Sequence, residues 1–268
     1  MVRSSLRVPV IDRFHARGYR GPVSTRDVLG PAAVLDATGD HAFAQFVVDM
    51  ASPASVRGLH GDGAVLWRGD TAHGPLGHAL GAPSAVLGLV DVAVHTGLLD
   101  GLRWVNLPRL DPDEVPAGWD NNGDWDFRWT TNAPAVQPGQ GRVVSLSDAD
   151  AVAVNHLLDA ALPDSPMRPG HLLVRGFYGL WHEGELVACA ADRSSPRVGV
   201  IGGVAVHPGH RRSGLGAAIS AAVTVRLLAE HGLVTLGVAA GNDAATRVYE
   251  RLGYGDVLQV TSVRRSRG

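Results

Sequence analysis

The residues with the clearest chemical content lie in two short stretches of the C-terminal half. The first is Val204-Ala205-Val206-His207-Pro208-Gly209-His210-Arg211-Arg212-Ser213-Gly214-Leu215-Gly216-Ala217. An apolar run enters a turn carrying glycines and arginines, and that turn opens directly into a helical pattern. Such a turn presents successive backbone N–H groups at the positive end of a helix dipole, which suits a pyrophosphate. Gly214 and Gly216 let the backbone approach phosphate without a side chain in the way, and Arg211 and Arg212 add positive charge. A tight turn that needs glycine only for its backbone angles would also explain the pair. A Walker loop would carry Lys-Ser/Thr after its last glycine, whereas Ala217-Ala218 follows here. A dinucleotide fold would place its glycine fingerprint on the first strand, with an acid downstream.

The second stretch runs from Asn242 to Tyr254 (Asn-Asp-Ala-Ala-Thr-Arg-Val-Tyr-Glu-Arg-Leu-Gly-Tyr). On a helix, Asn242, Ala245 and Tyr249 share one face, and Gly253 supplies the stop. Alone, Tyr249 reads as a packing residue. Paired with the upstream loop, it reads as functional.

Together the two stretches resemble the core of the GNAT superfamily of N-acetyltransferases, over about Gly199 to Tyr254. Arg211-Arg212-Ser213-Gly214-Leu215-Gly216 fits the acyl-CoA pattern Gln/Arg-x-x-Gly-x-Gly/Ala, and Asn242 to Tyr254 fits Asn-x-x-Ala-x-x-x-Tyr-x-x-x-Gly-Phe/Tyr. The resemblance implies an N-acyltransferase that moves an acetyl or other short acyl group from acyl-CoA to an amine. It implies that the backbone of Val204, Ala205 and Val206 pairs with the pantetheine arm and supplies an N–H for the oxyanion. The N–H groups from Arg212 through Ser213, Gly214, Leu215 and Gly216 to Ala217 would hold the pyrophosphate, beside Arg211. Asn242, with Ala245 on the same face, would contact the pantetheine or order the neighbouring loop. Tyr249 would give a proton to the departing CoA thiolate. No metal is implied. The acceptor would be a small-molecule or protein amine, without nucleic acid or membrane as partner, in the cytoplasm, and homodimerisation is left open.

The family often places a carboxylate base where this chain has Gly237 or Val200, and neither can take a proton. Asp192, Glu183, His182 and His171 are the nearest alternatives in sequence. A second reading is therefore a catalytically silent CoA-binding regulatory or scaffolding protein.

The elements that must hold these residues are legible downstream of Asn132–Gly141, a segment rich in Pro, Gly and amides that reads as a linker. It divides the chain into an N-terminal α/β domain (1–135), read as a degenerate GNAT-like copy, and the acyltransferase domain (141–268). In the latter, strands are expected over 142–146, 177–181, 185–191, 197–206, 234–238 and 256–263. Helices are expected from Ser147-Asp148-Ala149-Asp150 through Ala161, over 213–230 and over 243–252. The fold class is α/β of the α+β type, with a mixed, mostly antiparallel sheet flanked by helices. Upstream, Ser24-Thr25-Arg26-Asp27 reads as a cap for a helix entering Val28-Leu29, broken by Gly30-Pro31. Helices are expected over 40–50 and 84–97, strands over 64–67, 102–107 and 125–130, and a glycine-rich loop at Gly74, Gly77 and Gly81.

Composition adds limits. The chain has 268 residues, is 45% hydrophobic and carries a formal net charge of −2, which gives no general pull toward nucleic acid or anionic lipid. All 24 Lys+Arg residues are arginine, so the chain has no lysine of its own to acylate and the acceptor amine comes from elsewhere. Cys189 is the single cysteine and reads as a buried structural thiol. The tryptophans read as core, His73 and His78 as loop or surface residues, and His207/His210 as a poor metal pair lacking a third ligand. Met1 to Arg20 lacks the apolar stretch of a secretory signal.

Overall fold

The computed structural model describes residues 24–266; the reading of Met1 to Arg20 lies outside them. The N-terminal half runs β1 (Arg26–Leu29), α1 (Pro31–Thr38), α2 (Ala42–Val48), β2 (Arg57–Gly61), β3 (Ala64–Thr71), β4 (Gly74–Leu80), α3 (Pro83–His95), β5 (Trp104–Pro108) and β6 (Trp119–Thr130). The C-terminal half runs β7 (Val144–Leu146), α4 (Ala151–Ala161), β8 (Gly176–His182), β9 (Glu185–Asp192), β10 (Gly199–Val206), α5 (Leu215–His231), β11 (Val234–Ala239), α6 (Asp243–Arg251) and β12 (Asp256–Arg265).

All strands join one 12-stranded sheet in the order β1-β2-β3-β4-β5-β12-β6-β11-β10-β9-β8-β7. Neighbours are antiparallel except for β4–β5 and β10–β11, so the sheet is mixed and mostly antiparallel, as expected. The final strand of each half lies between strands of the other: β12 sits between β5 and β6, and β6 between β12 and β11.

Alternation along the strands sorts the helices onto two faces. Ile201, Leu236 and Val238 pack under α5 with Tyr249 of α6. Phe127, opposite Gly237 in register, packs with Phe43 and Val47 of α2, hence on the other face. Cys189, Ala191 and Ala205 meet Val154, Leu157 and Leu158 of α4. The α4 turn starts with a capping box between Ser147 and Asp150, which supplies acceptors to otherwise orphaned N–H groups.

Three upstream expectations are corrected. Residues 26–29 form strand β1, not the start of a helix. Pro31 then starts α1 in place of breaking a helix, because its fixed φ and missing N–H suit the first helical turn. The glycine-rich loop is strand β4 up to Leu80. Gly77 is there for packing, since a Cβ would lie 2.8 Å from Leu102 Cδ1. His78 on that strand is 3% exposed, not a loop or surface residue. The Cys189 thiol is buried as expected, and burial pushes its pKa up to about 12. Among the described residues no helix is long and apolar enough to cross a membrane.

Candidate active site

The site begins as a gap in the sheet. β10 and β11 pair in parallel only at Gly199–Val234, Val200–Thr235 and Ile201–Leu236. Beyond Ile201 they part, so among the described residues the β11-facing backbone of Gly202 to Val206 has no strand beside it. Polar backbone in such a place needs a partner, and an extended amide-bearing chain would supply one.

Within this exposed run β10 carries a bulge. Gly202 opposes Ala191 and Ala205 opposes Cys189, so β10 holds one residue more than β9. Gly203 has a φ of 56°, a conformation open mainly to glycine. Bulges of this kind re-aim backbone groups beside sites.

After Val206, a 3-10 turn over Pro208–His210 leads into α5. His207 Nδ1 accepts the Gly209 N–H, and the Ser213 hydroxyl donates to the His210 carbonyl. Arg212 and Gly214 take left-handed φ values of 64° and 84°. The α5 ladder starts with Ala218 N–H donating to Gly214 C=O at 3.0 Å. The N–H groups of Arg212, Ser213, Gly214, Leu215, Gly216 and Ala217 have no protein acceptor among the described residues. They form a run of donors at the positive end of a long helix. Arg211 turns away from them: its guanidinium donates to the carbonyls of Val206 and Ala161 at 3.5 and 3.2 Å, bracing the loop.

The side chains of Val204, Val206, Leu215, Ala245 and Tyr249 meet in one apolar cluster with Val238, so both sequence stretches converge on the gap. Ala205 points instead toward α4, leaving only its backbone on this side. Asn242 caps α6, its Oδ1 accepting the Ala245 N–H at 3.2 Å. Tyr249 is 7% exposed, and burial pushes its phenol up to about 12 despite Ser220 beside it. Ser220 Oγ itself has no hydrogen-bond partner of good geometry among the described residues.

The four candidate bases have different surroundings. The Asp192 carboxylate accepts from Ser194 N–H at 2.8 Å and from its hydroxyl. Glu183 is exposed on the β8–β9 turn. His182 lies edge-on to His210, 5.3 Å between centroids, and His171 stacks on His73 of the other half at 5.5 Å. On the α2 face the gap is floored by Gly237 under Trp125. Near the bulge lie three residues that the motifs did not flag: Arg193 over Gly202, and Ser165 and Met167 over Gly203. They lack a family pattern, and only the fold brings them together.

A family model described as "FR47-like protein" matches residues 177–263. Among solved structures, a GCN5-related N-acetyltransferase from Kribbella flavida is 22% identical, with 88% of this chain and 96% of that chain covered and a TM-score of 0.54. A GCN5-related N-acetyltransferase from Sphaerobacter thermophilus is 17% identical, covering 90% of this chain and 95% of that chain, with a TM-score of 0.52. A Drosophila protein is 15% identical over 89% of this chain and 91% of that one, with a TM-score of 0.54. No curated protein matches the sequence. These three structures share the fold of this chain across both halves, and the FR47-like match lies within its C-terminal half, at residues 177–263.

Proposed function

We propose that the protein is an acyl-CoA-dependent N-acyltransferase, moving an acetyl or other short acyl group to an amine. One observation carries the reading: the unpaired backbone of β10 beyond Ile201 runs straight into the unpaired donors of Arg212 to Ala217. An amide-bearing pantetheine arm ending in a pyrophosphate matches that order of groups.

In the reaction the amine nitrogen bonds to the thioester carbonyl carbon, and the carbon–sulfur bond breaks. A backbone N–H at the β10 bulge stabilises the oxyanion between these events. The Tyr249 phenol, held protonated by burial, gives its proton to the leaving thiolate. The proton lost by the attacking nitrogen passes to solvent, from which the phenolate is restored. Without a carboxylate at Gly237 or Val200, the amine enters neutral and positioning does most of the work.

The N-terminal half is, in this reading, a worn copy of the same unit. It repeats the parallel strand pair as β4–β5. Its strand-to-helix connection is only Gly81-Ala82, and α3 starts at Pro83, which has no N–H to offer. One cofactor site per chain follows.

The test is calorimetric titration with CoA and acetyl-CoA, followed by thiol release from acetyl-CoA with a panel of amines. Binding with amine-dependent thiol release is expected. CoA binding without turnover for any amine would instead support the silent CoA-binding module.

A further inference from the structure

We infer that Arg193 is an anchor for a carboxylate on the acceptor, so that the amine acylated at this site belongs to a free amino acid. The inference rests on the acyltransferase reading and names its substrate class.

Arg193 follows β9, and its backbone N–H donates to the Val200 carbonyl at 2.8 Å. Its side chain then crosses β10 at Gly202, where a Cβ would fall 2.6 Å from Arg193 Cδ and 3.6 Å from Nη1. The guanidinium thus lies against the strand one residue past Ile201, the last to pair with β11. Ser165 and Met167 approach the adjoining Gly203, with Ser165 Oγ 3.7 Å and Met167 Cβ 3.2 Å from the place of a Cβ there.

Among the described residues this cation has no hydrogen-bond or ion-pair partner. Its Nε is buried and unbonded, and no carboxylate of the described residues pairs with it, whereas Arg128, Arg168 and Arg197 each meet one. Burial alone pulls its pKa down, with no neighbouring charge contributing, although a guanidinium stays charged at working pH. A half-buried, unpaired guanidinium is costly to keep, and its fork geometry matches a carboxylate. The CoA phosphates do not fill that role: four strand steps separate Gly202 from Val206, roughly 13 Å at strand rise, and the donor loop lies beyond. The anion therefore arrives with the acceptor. One molecule carrying both an amine and a carboxylate is an amino acid.

The experiment compares free amino acids with their primary amides as acceptors for acetyl-CoA, in wild type, Arg193→Gln and Arg193→Lys. Wild type should prefer the acids by at least about tenfold in kcat/KM. Arg193→Gln should raise KM for the acids by about 30-fold or more, as for loss of a desolvated charge pair. It should leave KM for acetyl-CoA within about twofold, since the phosphate donors are untouched. Arg193→Lys should recover part of the loss, and thermal melts confirm that both variants fold. Equal use of acids and amides by wild type, or a raised KM for acetyl-CoA in Arg193→Gln, overturns the assignment. If wild type binds CoA but acylates nothing, the catalytic reading fails separately. Calorimetric amino-acid binding then decides this one: binding lost in Arg193→Gln supports it, and no binding to wild type overturns it.

Discussion

The indole of Trp125 lies flat enough over Gly237 that a Cβ at that position would sit 3.4 Å from Trp125 Cε3. The indole is held there by its Nε1–H, which donates to Ser262 Oγ at 3.0 Å. A methyl group fits against the ring at ordinary contact distance, and a longer side chain extends from this exposed position past the ring to solvent. Gly237→Ala should therefore change stability by less than about 1 kcal/mol. Gly237→Glu, at an exposed position, should likewise cost less than about 1 kcal/mol and bring no gain in turnover. Denaturant midpoints at unchanged m-value read both changes.

Tyr249 offers a cleaner separation of chemistry from folding. Its hydroxyl is buried near Ser220 and its ring lies edge-on to Tyr254, so Tyr249→Phe keeps the ring and removes little packing. With the enzyme reading, kcat should fall by about tenfold or more while the acetyl-CoA Kd and the melting temperature hold. Unchanged kcat would remove Tyr249 from the reaction. Because its pKa is raised to about 12, the folded protein keeps this proton where an unfolded tyrosine has lost it. Its contribution to stability is full below about pH 10 and is lost as pH rises toward 12.

The C-terminal half was legible because its signals are local. The capping box at Ser147 and Asp150, the apolar spacing of α4 and the glycine stop after α6 each act within a few residues. The donor loop and Tyr249 were legible through their spacing and flanking elements. Long-range placement was not legible. Gly77 looks like a turn residue until Leu102 and Val105 are seen against it, and His78 looks like a surface group until β4 is placed inside the sheet. Arg193 has no local pattern. Its burial depends on a bulge in β10 and on the glycine at 202. The exchange of β6 and β12 joins residues more than a hundred positions apart, which short-period patterns do not report.

His78 should set part of the acid sensitivity. It is buried between Phe43 and Trp67, and its Nδ1 lies 3.2 Å from the Asn106 amide nitrogen. Burial lowers its pKa from 6.5 to about 3. Between those values the unfolded chain binds the extra proton and the folded chain does not, so stability rises with pH across this window. It is fully present above about pH 6.5 and is lost as pH falls, at up to about 1.4 kcal/mol per pH unit. His78→Gln keeps an acceptor for Asn106 without a titrating ring. Urea midpoints from pH 7 to about 4 should fall less steeply in that variant than in wild type; parallel slopes would exclude His78 as the cause.

The strand exchange predicts that neither half folds alone. A fragment of residues 24–135 keeps β5 and β6 but loses β12, the strand between them. A fragment of residues 141–266 keeps β11 and β12 but loses β6, which pairs with both. Polar links cross the same seam: Ser262 Oγ donates to Asn106 Oδ1 at 2.6 Å, and Arg109 reaches the Val260 carbonyl at 3.3 Å. Asp49 at the end of α2 binds both the guanidinium and the backbone N–H of Arg197. Each fragment would expose apolar strand edges and leave these groups unpaired. Separately they should show weak, non-cooperative thermal transitions. Mixed, they should form a one-to-one complex with a single cooperative transition whose midpoint rises with concentration. Two fragments that each melt cooperatively on their own, at a midpoint independent of the other, would show that the halves are autonomous despite the shared sheet.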